Sequence, residues 1–308
     1  MKAIVYDHYG PPEVLRPAEL PTPAPKDDEV LVRVRAATVT IGDTRMRSFT
    51  VPRAQWLFAR LYLGVWRPRY MVPGMELAGD VEAVGKAVTR FKPGDAVFAS
   101  TMDVGFGGYA EYKCFPEDKA LAHMPGNLNY EEAAAAVGGG ITALRCLRRA
   151  SIQPGQRVLI YGASGAVGTN AVQLARNLYG AEVTGVCSDR ILDLVRSLGA
   201  ERVIDYTRDD FSRQGETYDV VFDAVARFPE ADAQRAVKSG GVYLNVHKHA
   251  DGARGSSMLD ELLYLRSLIE AGHMRPVIDR CYPLADIVEA HRYVDTGRKR
   301  GNVAVRVA

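Results

Sequence analysis

The stretch "YGASGAVGTNAVQLA", residues 161–175, decides how the second half of this chain folds. It continues the apolar run "RVLIY" (157–161), and the chain carries no charged side chain from residue 158 to residue 175. A membrane-spanning helix needs about 20 consecutive, mainly apolar residues. This stretch is shorter and is interrupted by glycines, an asparagine and a glutamine. We therefore predict a buried strand, a tight turn and a helix here, and no membrane span.

The small residues of the turn have a spacing that is typical of dinucleotide sites. Ala163, Gly165 and Gly168 match the pattern G-x-G-x-x-G, with alanine in the first position and Gly162 just before it. Small residues are needed because the turn is tight, the backbone approaches a pyrophosphate, and the helix packs against the strand. The N–H groups at the helix start then bind the pyrophosphate. The strand before the turn and the helix after it favour this interpretation over an ordinary strand–helix turn.

Strands alternate with helices on both sides of this turn. A helix is predicted after Asn129, which can cap it, and helices are also predicted up to about 179, up to about 198 and over 258–272. The predicted strands are 157–162, 181–188, 202–206, 218–225 and 241–246. This alternation predicts an α/β fold with a doubly wound parallel sheet of the Rossmann type.

The first part of the chain is predicted to be rich in β-strands. Residues 29–39, "EVLVRVRAATV", alternate apolar and polar side chains, as a half-buried strand does. Shorter strand candidates lie at 77–85, 95–100 and 108–115, and the C-terminal strand 301–307 is expected to rejoin this part. A chain of 308 residues is long for a single core. We predict two domains, one of residues 1–125 with 273–308 and one of residues 126–272.

Composition excludes several function classes. The net charge is only +2, so no strong field favours nucleic acid, and the basic runs 67–69 and 298–300 are interpreted as solvated surface. The N-terminus lacks the apolar region of a secretory signal, which predicts a cytoplasmic protein with no membrane partner. The cysteines have neither zinc-site spacing nor a redox pair. They are Cys114, Cys146, Cys187 and Cys281.

Taken together, these motifs resemble the medium-chain dehydrogenase/reductase superfamily, and within it the zinc-independent quinone oxidoreductase-like branch. The supporting segments are 74–99, 107–112, 152–168, 194–206, 218–225 and 282–305. Their order and spacing cover nearly the whole chain. The resemblance implies a GroES-like β-barrel domain beside the Rossmann domain. It also implies hydride transfer from NADPH to a small-molecule quinone or to an activated C=C of an enone or enal.

The resemblance also implies where zinc ligands would lie, and this chain lacks them. Thr40, Met75 and Gly138 stand where the alcohol dehydrogenase branch uses Cys, His and Cys, and only Glu76 remains as a candidate ligand. A catalytic zinc needs three protein ligands. A structural-zinc loop of four cysteines after Ser100 is also missing. We predict no metal, and therefore reduction of activated acceptors rather than alcohol oxidation, which zinc would assist.

The resemblance assigns the cofactor to strand ends and to the glycine turn. The implied residues are Thr142, Ser164, Gly165, Ala166, Val167, Ser188, Arg190, Tyr206, Asn245, Val246 and Asn302. NAD-specific sites place an acid at the end of the second strand, but the neutral Cys187 stands there. Ser188 and Arg190 follow it and can bind a 2′-phosphate. NADPH is therefore predicted, although the acidic Asp189 argues in the other direction.

The catalytic residue is not fixed by the sequence. Thr40, Asp43 and Tyr109 are polar candidates near the expected substrate side, and Asp43 is equally explained as a carboxylate that bonds its own turn. Relatives in this branch usually have Asn in place of Thr40 and an aromatic residue in place of Arg45, so the substrate stays open.

Two further features leave assembly and activity open. Relatives have a longer segment after Val246, with an edge strand that pairs across a dimer, so a homodimer is in doubt here. His247 and His249 lie in that segment and are interpreted as solvated, because no third metal ligand is in view. A zinc-free NAD(P)-dependent alcohol dehydrogenase and a catalytically silent NADPH-binding protein remain alternatives.

Overall fold

The computed structural model describes residues 1–51, 56–251 and 256–307, and describes Arg190 by its backbone alone. The chain divides into two compact units, one of Met1–Val137 with Ile278–Ala308 and one of Gly138–Val277. The predicted domain limits lay at 125/126 and 272/273. The first limit of the structure instead falls inside the helix Tyr130–Arg148, which contributes residues to both units.

The following elements are numbered in chain order. The strands are β1 (Lys2–Val5), β2 (Arg16–Glu19), β3 (Glu29–Thr38), β4 (Glu76–Val84), β5 (Ala96–Ser100), β6 (Tyr112–Pro116), β7 (Leu121–His123), β8 (Arg157–Tyr161), β9 (Glu182–Cys187), β10 (Arg202–Asp205), β11 (Tyr218–Asp223), β12 (Val237–Asn245), β13 (Ile278–Pro283) and β14 (Asn302–Arg306). The α-helices are α1 (Ile41–Ser48), α2 (Trp56–Leu63), α3 (Tyr130–Arg148), α4 (Ala166–Asn177), α5 (Leu192–Ser197), α6 (Glu230–Ala233), α7 (Val246–His249), α8 (Met258–Glu270) and α9 (Ile287–Asp295).

The first unit is built on a mainly antiparallel sheet around β3. The strand order is β13-β14-β3-β4-β5-β7, and β6 also pairs with β3. The alternation predicted for 29–39 is confirmed, since Val30, Val32 and Val34 are fully buried. The C-terminal strand rejoins this sheet as predicted, with Ala304 opposite Thr38. The strand predicted at 108–115 begins only at β6, because the preceding residues form a turn in which Gly107 has φ +110°.

Two helices connect β3 to β4, and the sequence analysis assigned no element to this region. Thr40 is the N-cap of helix α1, and its side chain and that of Asp43 form a reciprocal capping box. The C-cap of α1 is Phe49, which adopts the left-handed conformation with φ +53°. Helix α2 follows and has no buried residue. The connection between these strands is therefore partly a core element and partly an exposed one.

The second unit contains a five-stranded parallel sheet with the order β10-β9-β8-β11-β12. This is the strand order 3-2-1-4-5 of a Rossmann sheet, which confirms the predicted fold class. The predicted strands are found, although β12 begins at Val237 rather than at 241. The predicted cap of α3 is also present, since the Glu132 N–H donates to Asn129 Oδ1 over 2.9 Å. In the described ranges, no helix has both the length and the apolar character needed to cross a bilayer.

Candidate active site

The glycine turn after β8 has the backbone geometry that a nucleotide site requires. Gly162 adopts φ +78°, which side-chain-bearing residues rarely do, and a Cβ there would lie 2.7 Å from Val225 Cγ1. A Cβ on Gly168 would overlap the Gly162 carbonyl oxygen and lie 2.8 Å from Ala163 Cα. Gly162 therefore makes the turn and Gly168 lets α4 pack closely on it, so alanine can stand in the first fingerprint position.

The start of α4 is open to a ligand. Gly165 is the N-cap residue, and no described side chain caps the helix. Apart from its chain neighbours, a Cβ on Gly165 would have only the Gly162 carbonyl oxygen within 4 Å, at 3.5 Å, so a ligand has room beside this residue. Ser164, Ala166 and Val167 are half-buried and line the same turn. Free N–H groups at a positive helix end suit a pyrophosphate, and these residues therefore fit the cofactor that the sequence predicts.

The carboxyl ends of the neighbouring strands bring further predicted residues to this edge. Cys187 is opposite Asp205 in the parallel pair β9–β10, and the Tyr206 N–H donates to the Cys187 carbonyl over 3.0 Å. The residues after these strands, Ser188 and Tyr206, are therefore neighbours. Cys187 itself is buried and burial raises the pKa of its thiol to about 11. Asp189 is exposed beside Ser188. The predicted Arg190 side chain lies outside the described part of the chain.

The remaining predicted cofactor residues fall in three places. Asn245 ends β12 and caps α7, where its Oδ1 accepts from the His247 N–H over 2.9 Å. Val246 follows it as the first residue of α7. Thr142 lies half-buried on α3 in the second unit. Asn302 is buried at the start of β14 and belongs to the first unit.

Sequence reasoning missed Asp223, which organises the loop after β11. It is opposite both Tyr161 and Asn245 in the parallel sheet. Its Oδ1 accepts from the Val225 and Ala226 N–H groups over 3.0 and 2.8 Å, and its Oδ2 accepts from Phe228 over 3.0 Å. This loop holds Val225 against Gly162. An aspartate at the end of a predicted strand, followed by small residues, was the available signal.

In the first unit, two of the predicted zinc-ligand positions lie side by side. The Thr40 hydroxyl is 3.9 Å from Met75 Sδ and donates to Asp43 Oδ2 over 2.6 Å. Asp43 also accepts from the Thr40 N–H over 2.8 Å. The carboxyl is fully buried, and burial raises its pKa to about 6 despite these donors. Thr40 is therefore a half-buried residue whose hydroxyl is hydrogen-bonded to a fully buried carboxyl, that of Asp43.

Tyr109, the third catalytic candidate, is fully buried and belongs to a polar cluster behind α1. Its hydroxyl donates to the Thr38 carbonyl over 3.0 Å, and its ring packs edge-on against His291. Arg47 contacts His291 Nδ1 at 3.2 Å and pairs with Asp295 at 2.8 Å. Burial lowers the pKa of His291 to about 3, and the Arg47 charge adds to this effect. The structure brings Thr40 and Asp43 together but leaves Tyr109 inside the core.

Glu76, the remaining candidate zinc ligand, has a structural partner. It is buried and accepts from the Thr38 hydroxyl over 2.6 Å. Lys299 is electrostatically coupled to it, while burial lowers the pKa of that lysine to about 8. Within the described ranges, no three His, Cys, Asp or Glu side chains are grouped closely enough to hold a metal ion.

Two family models match the chain, one in each half. The alcohol dehydrogenase GroES-like domain matches residues 26–126, and the zinc-binding dehydrogenase model matches residues 198–305. Thr40 and Met75 lie in the first range, and Gly138 lies in neither.

Known proteins match over nearly the whole length. The chain is 34% identical to an NADPH-dependent alkenal/one oxidoreductase of Arabidopsis thaliana, over 99% of this chain and 79% of that protein. It is 33% identical to a 2-methylene-furan-3-one reductase of Solanum lycopersicum, with the same coverage. The structure of a quinone oxidoreductase from Coxiella burnetii superposes with a TM-score of 0.85, at 29% identity and over 100% of this chain and 99% of that one. The chain belongs to the medium-chain dehydrogenase/reductase superfamily, in its quinone oxidoreductase-like branch.

Proposed function

We propose that this protein is an NADPH-dependent reductase of quinones or of the activated C=C of enones and enals, and that it works without zinc. The observation that carries the proposal is the open glycine turn at the start of α4, in a chain whose relatives are named for these reductions. NADPH, when bound, supplies a hydride to the acceptor.

The protein's own part in the reaction begins with binding. The N–H groups of Ala166 and Val167, at the positive end of α4, would hold the pyrophosphate. Ser188 and Tyr206, at the ends of adjacent strands, would hold the ribose and its 2′-phosphate. The buried, neutral Cys187 stands where NAD-specific sites place a carboxylate, and the exposed Asp189 lies two residues further on. These contacts favour NADPH over NADH.

The first unit supplies a proton path. Reduction of an enone needs a hydride at the β-carbon and a proton at the α-carbon. Thr40 is half-buried while Asp43 is fully buried, and the Thr40 hydroxyl donates to Asp43 Oδ2 over 2.6 Å. The Asp43 carboxyl, with its pKa raised to about 6, would take up a proton from solvent and pass it to Thr40 Oγ1 as the Thr40 hydroxyl gives its own proton to the α-carbon, so solvent supplies the proton overall. His291 contacts Arg47 of α1, Tyr109 packs against His291, and neither takes a proton in this scheme.

Steady-state assays test the reaction class. Purified protein is given NADPH with a quinone, an enone and an enal, and in parallel NADP⁺ with a panel of alcohols. We expect the quinone or the enone to turn over faster than any alcohol. Faster alcohol oxidation would assign the protein to the zinc-free alcohol dehydrogenases. Tight NADPH binding with no turnover of any acceptor would make it a silent binding protein.

A variant pair tests the proton path. Thr40→Val removes the hydroxyl and should lower kcat for an enone by about 10²-fold, which is the usual effect of losing a general acid. The KM for NADPH should stay nearly constant. Thr40→Ser keeps the hydroxyl and should retain most of the activity. A Thr40→Ser variant as slow as Thr40→Val would assign Thr40 a packing role.

Elemental analysis tests zinc independence. The reason lies in two of the expected ligand positions. Thr40 has a hydroxyl that is already bonded to Asp43, and Met75 has a thioether, which is a poor zinc ligand. We expect far less than one zinc per chain after dialysis against a chelator, with quinone reduction unchanged. About one zinc per chain, with activity lost on its removal, would refute this part of the proposal.

A further inference from the structure

An apolar surface remains open on α2 and on the turn that follows it. Leu57, Phe58 and Leu61 are 68%, 75% and 65% exposed, and Trp66 is 93% exposed. Val65, beside Trp66, is also exposed. We call these five residues the α2 apolar face. Exposed apolar groups of this size and continuity mark a site of interaction with another surface.

The opposite face of α2 is fixed to the first unit, so the α2 apolar face points away from it. The Arg60 guanidinium stacks 3.8 Å from the ring centroid of Phe49 and 5.0 Å from that of Tyr9. The Tyr9 hydroxyl donates to the Leu63 carbonyl over 2.9 Å. Leu57, Phe58 and Leu61 share another face of the helix, since Leu61 lies four positions after Leu57 and three after Phe58.

The charged side chains within this segment all have one sign. Residues 44–75 contain no Asp, Glu or Lys, although the whole chain has a net charge of only +2. The arginines of this segment are Arg45, Arg47, Arg53, Arg60, Arg67 and Arg69. Arg67 and Arg69 are exposed directly after Trp66. The exposed Asp103 acts on Tyr62 from a neighbouring turn and offsets one of these charges.

The tryptophans point to the same kind of surface. The chain has two, and both lie here, at Trp56 and Trp66. Indole rings prefer the boundary between water and lipid, because the ring is apolar and its N–H is polar. A helix that exposes Leu and Phe on one face, with tryptophans and arginines beside it, is typical of a segment that lies in a membrane surface.

We propose that the α2 apolar face, with Arg67 and Arg69, binds the surface of an anionic lipid bilayer without crossing it. The apolar side chains enter the boundary between headgroups and acyl chains, and the two arginines contact lipid phosphates. The basic run 67–69, which the sequence analysis interpreted as solvated, becomes the electrostatic part of this site. The proposal does not depend on the reaction that the protein catalyses.

Vesicle binding tests the proposal. Tryptophan fluorescence reports on this segment, because both tryptophans of the chain lie in it. The protein is mixed with vesicles of phosphatidylcholine containing about 30% phosphatidylglycerol, or with vesicles of phosphatidylcholine alone. We expect co-sedimentation and a blue shift of tryptophan emission with the anionic vesicles only. Both should weaken at about 1 M salt, where the Debye length falls to about 3 Å.

Two variants separate the charged and the apolar parts. Arg67→Gln with Arg69→Gln should weaken partitioning by about 30-fold, because each basic residue near an anionic surface adds roughly a factor of five. Arg298→Gln with Arg300→Gln, the same charge change in the other basic run, should leave binding unchanged. Phe58→Ser with Leu61→Ser keeps both tryptophans and should weaken binding by at least about tenfold.

The variants should keep the circular dichroism spectrum and the lipid-free quinone reduction of the wild type, because the changed side chains are exposed. Three results would overturn the proposal. They are absence of binding to anionic vesicles, equal losses for the two arginine pairs, and a blue shift that rises with protein concentration in the absence of lipid. The last result would assign the face to a second copy of the chain.

Discussion

Single side chains at the end of β9 set the cofactor preference that we propose. Ser188 follows the buried Cys187 and adjoins Tyr206. Ser188→Asp would place a carboxylate against the 2′-phosphate, and like charges brought together cost several kcal/mol. We expect the KM for NADPH to rise by at least about tenfold while the KM for NADH changes little. Ser188→Asn is the neutral control. Equal effects of Ser188→Asp on both cofactors would contradict this assignment.

Two glycines of the turn have separable roles that alanine substitution can distinguish. A Cβ on Gly168 overlaps backbone atoms of the turn, so Gly168→Ala should lower the free energy of unfolding by about 1–3 kcal/mol. A Cβ on Gly165 meets only one oxygen at 3.5 Å, so Gly165→Ala should fold normally. It should nevertheless weaken NADPH binding, because the methyl group occupies the approach to α4. Urea unfolding and fluorescence titration with NADPH measure the two effects. Normal NADPH affinity in Gly165→Ala would refute the binding role.

At the scale of elements, α1 and α9 enclose two buried groups with opposite pH behaviour. The pKa of Asp43 is raised from 3.8 to about 6, so between those values the folded state binds a proton that the unfolded state lacks. Stability from this group therefore rises as the pH falls. The pKa of His291 is lowered from 6.5 to about 3, so the unfolded state binds the extra proton and stability falls as the pH falls. Each slope is about 1.4 kcal/mol per pH unit, and the two oppose each other between about pH 4 and 6.

Removing either group should leave the pH dependence of the free energy of unfolding that the other group causes. The free energy of unfolding of Asp43→Asn should fall by up to about 3 kcal/mol relative to that of the wild type as the pH falls from 6 to 4. The reason is that only the unfavourable slope of His291 remains. The free energy of unfolding of His291→Gln should instead rise relative to that of the wild type as the pH falls over the same range. Urea unfolding followed by circular dichroism at pH 4, 5, 6 and 7 measures both. Parallel pH profiles for wild type and the two variants would show that these groups do not control acid stability.

For the whole molecule, the open edge of the parallel sheet bears on assembly. Within the described residues the sheet ends at β12, whose residues Lys238, Ser239 and Gly240 are exposed. A lysine and small polar residues on an edge strand disfavour pairing with another chain. Together with the short segment after Val246, this predicts a monomer in lipid-free solution. Light scattering should give a mass near 33.7 kDa, and a mass near twice that value would contradict the prediction.

The sequence by itself determined the fold class, the glycine turn and most strand positions, because these depend on short-range patterns. Alternation along β3, the spacing of Gly165 and Gly168, and the Asn129 cap all act within a few residues of chain. Strand limits shifted where a turn or a positive φ intervened, as at Gly107. The sequence did not distinguish the three catalytic candidates. The structure does, because Tyr109 is fully buried in the core and the Thr40 hydroxyl donates to Asp43.

Only the tertiary structure decided which groups meet across long stretches of chain and which remain uncovered. Arg47 and His291 are 244 positions apart, and no local pattern indicates that they touch. The run "WLFARLYL" has the composition of a core helix, yet α2 has no buried residue. Burial depends on the surface that the rest of the chain presents, and hydrophobicity measures only the preference of each side chain for leaving water.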